Sequence, residues 1–186
     1  MHFNTHLNLN GAHSFLSPSN PAWINYEEDK LDRVFFSSQE AKRGSDLHDY
    51  AQKAIRLSVR QIANRKTLNM YINDAIGYRM TPEQTLYYSD NCFGTADAAG
   101  FEKNLLRIHD LKMGKTPASP KQVETYAAIF CLEYKYDPTQ IEIELRIYQN
   151  NEVLVFGEDK ASILYIMEKI RSFDKRIRRL RMEVSY

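Results

Sequence analysis

The chain predicts an α/β (α+β) domain with a central mixed β-sheet flanked by helices. Three observations lead there. Apolar residues recur at helical spacing after residue 47, and again in two later segments. Ile141, Ile143, Leu145 and Ile147 alternate with Glu142, Glu144 and Arg146, the period of a strand. The elements come in the order helix, strands, helix, strands, helix, with neither an internal repeat nor a low-complexity segment.

Residues 1–36 read as an irregular lead-in. The turn-forming run Ser17-Pro18-Ser19-Asn20-Pro21 precedes Ala22-Trp23-Ile24, a candidate anchor or short helix. His2, His6 and His13 lie in this lead-in and read as loop residues. Ser37 and Glu40 have capping-box spacing. The helical pattern after them carries Leu47, Tyr50, Ala51, Ala54, Ile55 and Ile62, with Gly44 loosening its start. Leu68 to Ile76 suits a second short helix, and residues 83–90 look extended. Two runs, 92–99 and 105–112, flank Gly100-Phe101-Glu102-Lys103-Asn104, the pattern of a hairpin with a Gly-containing loop. Ser119 is a plausible N-cap with Pro120 at the first helical position, for a helix over about 120–135. Asn150-Asn151 turns the chain into a strand with Val153 and Val155, and a last helix covers roughly 158–180.

The length of 186 residues suits one domain, divided as lead-in 1–36, core 37–157 and C-terminal basic helix 158–186. No stretch has the length and apolarity of a membrane span, and the first residues lack the apolar core of a secretory leader. Cys92 and Cys131 are far apart and read as buried thiols in a reducing compartment. Without a CxxC pair, a cysteine-built zinc or iron–sulfur site is not expected. A net charge of +1 names no partner, but Lys169, Arg171, Lys175, Arg176, Arg178, Arg179 and Arg181 crowd the C-terminal helix. Such a run suits phosphate contact, or is a solvated helix face.

The candidate chemistry lies in the hairpin. Asp110 and Lys112, two apart on one strand, share a face, and Leu106 and Ile108 share it too. Folding the hairpin about its loop sets Asp97 roughly opposite Asp110. Like charges so placed destabilise a sheet unless a cation lies between them. Oxygen ligands favour Mg²⁺ or Mn²⁺. The D-x-K tripeptide alone is more readily an ordinary surface pair, since such tripeptides are common. His109 has the opposite parity and reads as a non-ligand. Asp46 and Asp49 flank His48, and either could assist it.

Four motifs occur in order: Gly44 to His48 (G-x-x-x-H), Gly94 to Ala98 (G-x-x-D-A), Asp110 to Lys112 (D-x-K) and Gln122 to Tyr126 (Q-x-x-x-Y). Across residues 44–126 this order and spacing resemble the RecB-like branch of the PD-(D/E)XK nuclease superfamily. His13 to Ser19 followed by Trp23 also looks like the opening of small phage-associated members. The resemblance implies a restriction-endonuclease-like core and metal-dependent hydrolysis of DNA phosphodiesters. It points to an exonuclease of phage or mobile-element type in the cytoplasm of a prokaryotic host. It implies His48, Asp97, Asp110 and the Leu111 carbonyl as ligands of Mg²⁺ or Mn²⁺, which would acidify water and neutralise transition-state charge. Asp97, Asp110 and Lys112 would be catalytic, the lysine activating water, a task that a depressed pKa would suit. Gln122 and Tyr126 would organise the site or touch the strand, although Gln122 also fits a capping box with Ser119 and Tyr126 could be core. Arg176, Arg178 and Arg179 would bind backbone phosphates of single- or double-stranded DNA. The short length raises self-association, or a recombination or replication partner. The chain departs from many relatives in lacking four cluster-binding cysteines and a cysteine after Trp23, and it has no P-loop. A non-catalytic DNA-binding or inhibitory protein on the same fold is the alternative, and an RNA-directed nuclease is a third reading.

Overall fold

The computed structural model describes residues 14–18, 21–114, 116–157 and 159–184. The chain falls into two compact units, residues 1–43 and 44–186. His2, His6, His13 and Ser19 lie outside the described residues. In the first unit a short 3-10 helix, Pro21–Asn25, carries Trp23, whose indole Nε1 donates to the Ser17 carbonyl at 3.0 Å. The rings of Phe15 and Phe35 meet edge to face with centroids 5.4 Å apart.

Helix α1 runs Glu28–Arg56, so it begins well before residue 37 and the irregular lead-in is shorter than expected. Glu28 and Asp29 at its start and Lys53 and Arg56 at its end complement the helix dipole. That charge pattern sets the boundaries, and both Ser37 and Gly44 fall in the interior. The helix stops because Ser58 adopts a left-handed φ of 55°. Ile62 therefore lies beyond it and is exposed.

Helix α2 (Thr67–Gly77) leads into five strands: β1 (Thr81–Ser89), β2 (Cys92–Glu102), β3 (Leu105–Leu111), then, after helix α3 (Lys121–Tyr134), β4 (Glu142–Gln149) and β5 (Glu152–Phe156). Helix α4 (Lys160–Val184) closes the described chain. The sheet order is β1-β2-β3-β4-β5, antiparallel except where β3 runs parallel to β4. This is an α+β fold with a mixed sheet flanked by helices. The parallel pair needs a crossover, and α3 supplies it.

The β2–β3 turn is tighter than its composition suggests. Glu102 pairs with Leu105, leaving only Lys103 and Asn104 in the turn, with φ of 51° and 66°. Two left-handed residues make the turn type whose twist matches paired strands. Gly100 consequently lies inside β2, opposite Arg107, and not in a loop. Asn150 and Asn151, at φ of 52° and 61°, repeat the device between β4 and β5.

The sheet has a core on each face. One gathers Leu106, Ile108, Val123, Ala127, Leu145, Ile147 and Ile163, with α3 and α4 contributing. The other gathers Ala51, Ala54, Ile55, Tyr71, Ile72, Leu111 and Tyr148, covered by α2 and the end of α1. Cys131 is buried, but Cys92 is only half-buried, because it opens β2 beside the turn from β1. Among the described residues no helix is long and apolar enough to cross a membrane.

Candidate metal centre

The β2–β3 register pairs Ala98 with His109 and stops there. The next positions along the same register are Asp97 and Asp110, so the two aspartates face each other as their spacing predicts. The β1–β2 register runs from Thr81 opposite Ala99 to Tyr87 opposite Phe93 and skips the position where Glu83 faces Asp97. Three carboxylates, Glu83, Asp97 and Asp110, thus form one row across three strands. Both ladders are interrupted at that row. Glu83 has φ of 51°, unusual for a non-glycine residue inside a strand. Ala96 and Ala98 would share a face in a regular strand, yet they belong to the cores on opposite faces. Alternation is therefore broken across Asp97.

Each carboxylate is held differently. Asp97 Oδ2 accepts from the Leu111 amide at 2.7 Å, and its Oδ1 lies 3.5 Å from His48 Nδ1. Asp110 is 2% exposed, and its Oδ1 accepts from Lys112 Nζ at 3.2 Å. Its Oδ2 lies 3.1 Å from the same ammonium but accepts no aligned hydrogen bond among the described residues. Lys112 Nζ also donates to Gln122 Oε1 at 2.8 Å. Gln122 therefore positions the lysine, and the capping box with Ser119 does not form. Pro120 is the residue before the helix, and Ser119 Oγ accepts only from the Lys121 amide, at 3.3 Å. The segment after Lys112 is tied down by buried Gln149, which donates to the carbonyls of Gly114 and Thr116 and accepts from the Ala118 amide.

Tyr126 lies one turn beyond Gln122 on α3, and its hydroxyl donates to the Thr95 carbonyl at 2.6 Å. A Cβ at Gly94 would stand 3.1 Å from the Tyr126 ring. A side chain there would make the ring shift by a few tenths of an ångström. The first residue of G-x-x-D-A and the last of Q-x-x-x-Y are thus one packing contact, which braces β2 beside Asp97.

Among the described residues three acids gather here, with the Lys112 ammonium beside Asp110 and with His48 and Arg56 acting on Glu83. Burial raises the Asp110 carboxyl above its ordinary range, and the Asp97 charge adds to that against the opposing pull of Lys112. Burial and then Asp97 raise Glu83 likewise. His48 is raised because Asp97 favours its protonated form by more than burial opposes it. Tyr71, buried in the facing core, is pushed up by burial and by all three carboxylates, so its hydroxyl stays protonated.

One ligand atom each from His48, Glu83 and Asp97 can be chosen so that all lie within 4.8 Å of one another. This donor set of one imidazole and two carboxylates fits a divalent cation. Buried Asp110 beside it, with an oxygen lacking an aligned donor, adds to the fit. The grouping differs from the expected ligand set in one member, since Glu83 takes the place in the compact trio that sequence reasoning gave to Asp110. Folding about the Asp90-Asn91 turn alone sets residue 84 against 97, and it is the register shift between Tyr87 and Ser89 that brings Glu83 there, a shift no local sequence rule shows. Leu111 enters through its amide, which holds Asp97.

The other expected residues are placed elsewhere. His109 faces the opposite core, where Tyr148 Oη lies 3.2 Å from its Nδ1. Asp46 and Asp49 are not in the trio. Arg176, Arg178 and Arg179 are exposed on α4, which meets the β1–β2 turn where Asp174 accepts from Ser89 and Asn91. Ser89 lies six positions along β1 from Glu83, roughly 20 Å, so the structure does not bring these arginines to the carboxylate row. Arg178 is engaged with Asp174 at 2.9 Å.

No family model matches the chain, and no curated protein matches it. A solved structure described as the crystal structure of SSO0001 is similar over 81% of this chain and 68% of that one, at 11% identity and a TM-score of 0.34, a likeness too slight to assign fold or function.

Proposed function

We propose that the protein is a metal-dependent nuclease that hydrolyses DNA phosphodiesters, of the PD-(D/E)XK kind that its four ordered motifs resemble. The observation that carries this reading is the row Glu83–Asp97–Asp110 with a single ammonium, Lys112, at its end. A fold gains nothing from three aligned carboxylates by themselves. The arrangement becomes favourable when a cation and an anionic substrate share it.

His48, Glu83 and Asp97 would hold a Mg²⁺ or Mn²⁺ ion, with Asp110 adjoining. Such an ion supplies charge that neutralises a phosphodiester and makes a water more acidic. Lys112, fixed between Asp110 and Gln122, directs its ammonium at the scissile phosphate and orients the attacking water. Gln122 and Tyr126 hold the frame and do not enter the reaction. The exposed basic face of α4 serves backbone phosphates away from the reacting bond.

The test is degradation of labelled linear and circular DNA in Mg²⁺, Mn²⁺ or EDTA. The expected result is metal-dependent cleavage abolished by Lys112→Ala and by Asp110→Ala. Cleavage that survives both substitutions removes the assignment, and binding without cleavage in either metal favours the non-catalytic reading. Changing Arg176, Arg178 and Arg179 to Ala is expected to weaken DNA binding and flatten its salt dependence. An unchanged salt slope leaves that face without a phosphate role.

A further inference from the structure

Helix α4 carries an apolar seam longer than the body it packs on. Ile163, Ile166, Ile170, Phe173, Ile177 and Leu180 follow one another at alternating steps of three and four residues, the a and d positions of successive heptads. The first three of these belong to the core beneath α3. Asp174 is the last buried residue of the helix, and the described residues after it are all exposed. The seam nevertheless continues, with Phe173 at 59%, Ile177 at 37% and Leu180 at 39% exposure. A ten-residue overhang spans about 15 Å.

The flanking charges say what packs there. In this heptad register Arg176 and Glu183 are g positions and Arg181 is an e position. A parallel pair of α4 helices would set Arg176 of each copy beside Arg181 of the other, two like-charge contacts. An antiparallel pair that sets Ile177 of one copy on Leu180 of the other places Arg176 beside Glu183 of the second copy, twice by symmetry. The second arrangement is isologous and closes on itself. Arg171, Lys175 and Arg179 lie off the seam, so the basic face stays open on both helices.

We propose that the overhanging end of α4 is a self-association surface, on which a second copy of this chain packs antiparallel through Phe173, Ile177 and Leu180. The contact is short, three apolar side chains from each copy, which makes it a weak and concentration-dependent dimer. The carboxylate row takes no part in it, and of the basic face only Arg176 is shared with the phosphate contacts proposed above.

Sedimentation velocity from about 1 to about 100 µM tests it, over the range where a weak dimer assembles. The full chain is expected to pass from monomer to dimer. Ile177→Glu with Leu180→Glu is expected to stay monomeric throughout, both positions being exposed. Arg176→Glu alone and Glu183→Arg alone are each expected to weaken the dimer about tenfold, and the two together to restore it. A full chain that remains monomeric, a dimer that survives the seam substitutions, or a charge swap no better than its single components overturns the proposal.

Discussion

Asp110 and His109 are consecutive residues of β3, both buried, and they face opposite cores. Their surroundings differ in a way that separates structure from chemistry. On the His109 side charges are matched. Arg146 donates to Asp74 at 3.1 Å and to Tyr78 Oη at 3.0 Å, and its Nε lies 3.1 Å from Glu144. Arg107 bonds the same glutamate, and Tyr148 donates to Asp74 at 2.7 Å. His109 is held neutral there, its pKa pulled down to about 3 by burial and then by Arg146 and Arg107. On the Asp110 side three carboxylates meet one ammonium, and strand pairing gives way around them. Buried atoms without an aligned hydrogen bond occur on both sides, His109 Nε2 and Arg146 Nε as well as Asp110 Oδ2, so it is the balance of charge that differs. Among the described residues the carboxylates outnumber the ammonium beside them, and the strand ladders are interrupted at the same place.

The sharpest way to break this contrast is Asp97→Ala. Asp97 anchors the Leu111 amide and His48 together, and a fall in metal-dependent cleavage of about a thousandfold is expected, some 4 kcal/mol in the barrier. The same variant should lose the rise in melting temperature that Mn²⁺ gives the full chain. An undiminished rise would place the ion elsewhere. On the other face Asp74→Ala should behave inversely. Losing the acceptor for Tyr148 and Arg146 should cost about 2 kcal/mol of stability in urea titration, with cleavage per folded molecule and the Mn²⁺ response unchanged.

His109 gives the contrast a pH signature of comparable size. Its folded pKa lies below its ordinary value near 6.5, so its contribution is fully present above pH 6.5 and is lost as pH falls toward about 3. Between pH 7.5 and pH 5 that loss amounts to about 2 kcal/mol. In His109→Leu the slope of stability against pH over this window should flatten by that amount, read from urea midpoints at each pH. A slope equal to that of the parent chain would mean that His109 is not held neutral. The smallest effect expected is at Glu83. Removing one of three facing carboxylates in Glu83→Gln should raise the metal-free stability slightly, by less than about 1 kcal/mol and with it the melting point, while reducing the stabilisation by Mn²⁺. A lowered metal-free melting point would show that Glu83 is a structural partner of His48.

The sequence carried much of this. Period-two alternation over residues 141–147, the asparagine turn at 150–151 and the hairpin spacing of residues 97 and 110 each act through neighbours close along the chain. Local rules are enough to read them. Side-chain parity likewise separated His109 from Asp110. Helix α1 was less legible. Its N-terminal boundary is set by acidic residues at 28 and 29, while Ser37 and Glu40 imitate a cap inside the helix, because capping spacing also occurs where the backbone is already helical.

What only the tertiary structure decided are contacts between segments distant in sequence. Glu83 joins the row because two hairpins, β1–β2 and β2–β3, share β2 and stack their registers. Gln122 serves Lys112 because α3 returns over β3, which brings residues ten apart within 2.8 Å. Gly94 lies in close contact with a ring 32 residues later. Periodicity and turn chemistry determine which elements form and which faces they bury. Which polar side chains meet across those faces depends on strand register and helix placement, and packing alone fixes both.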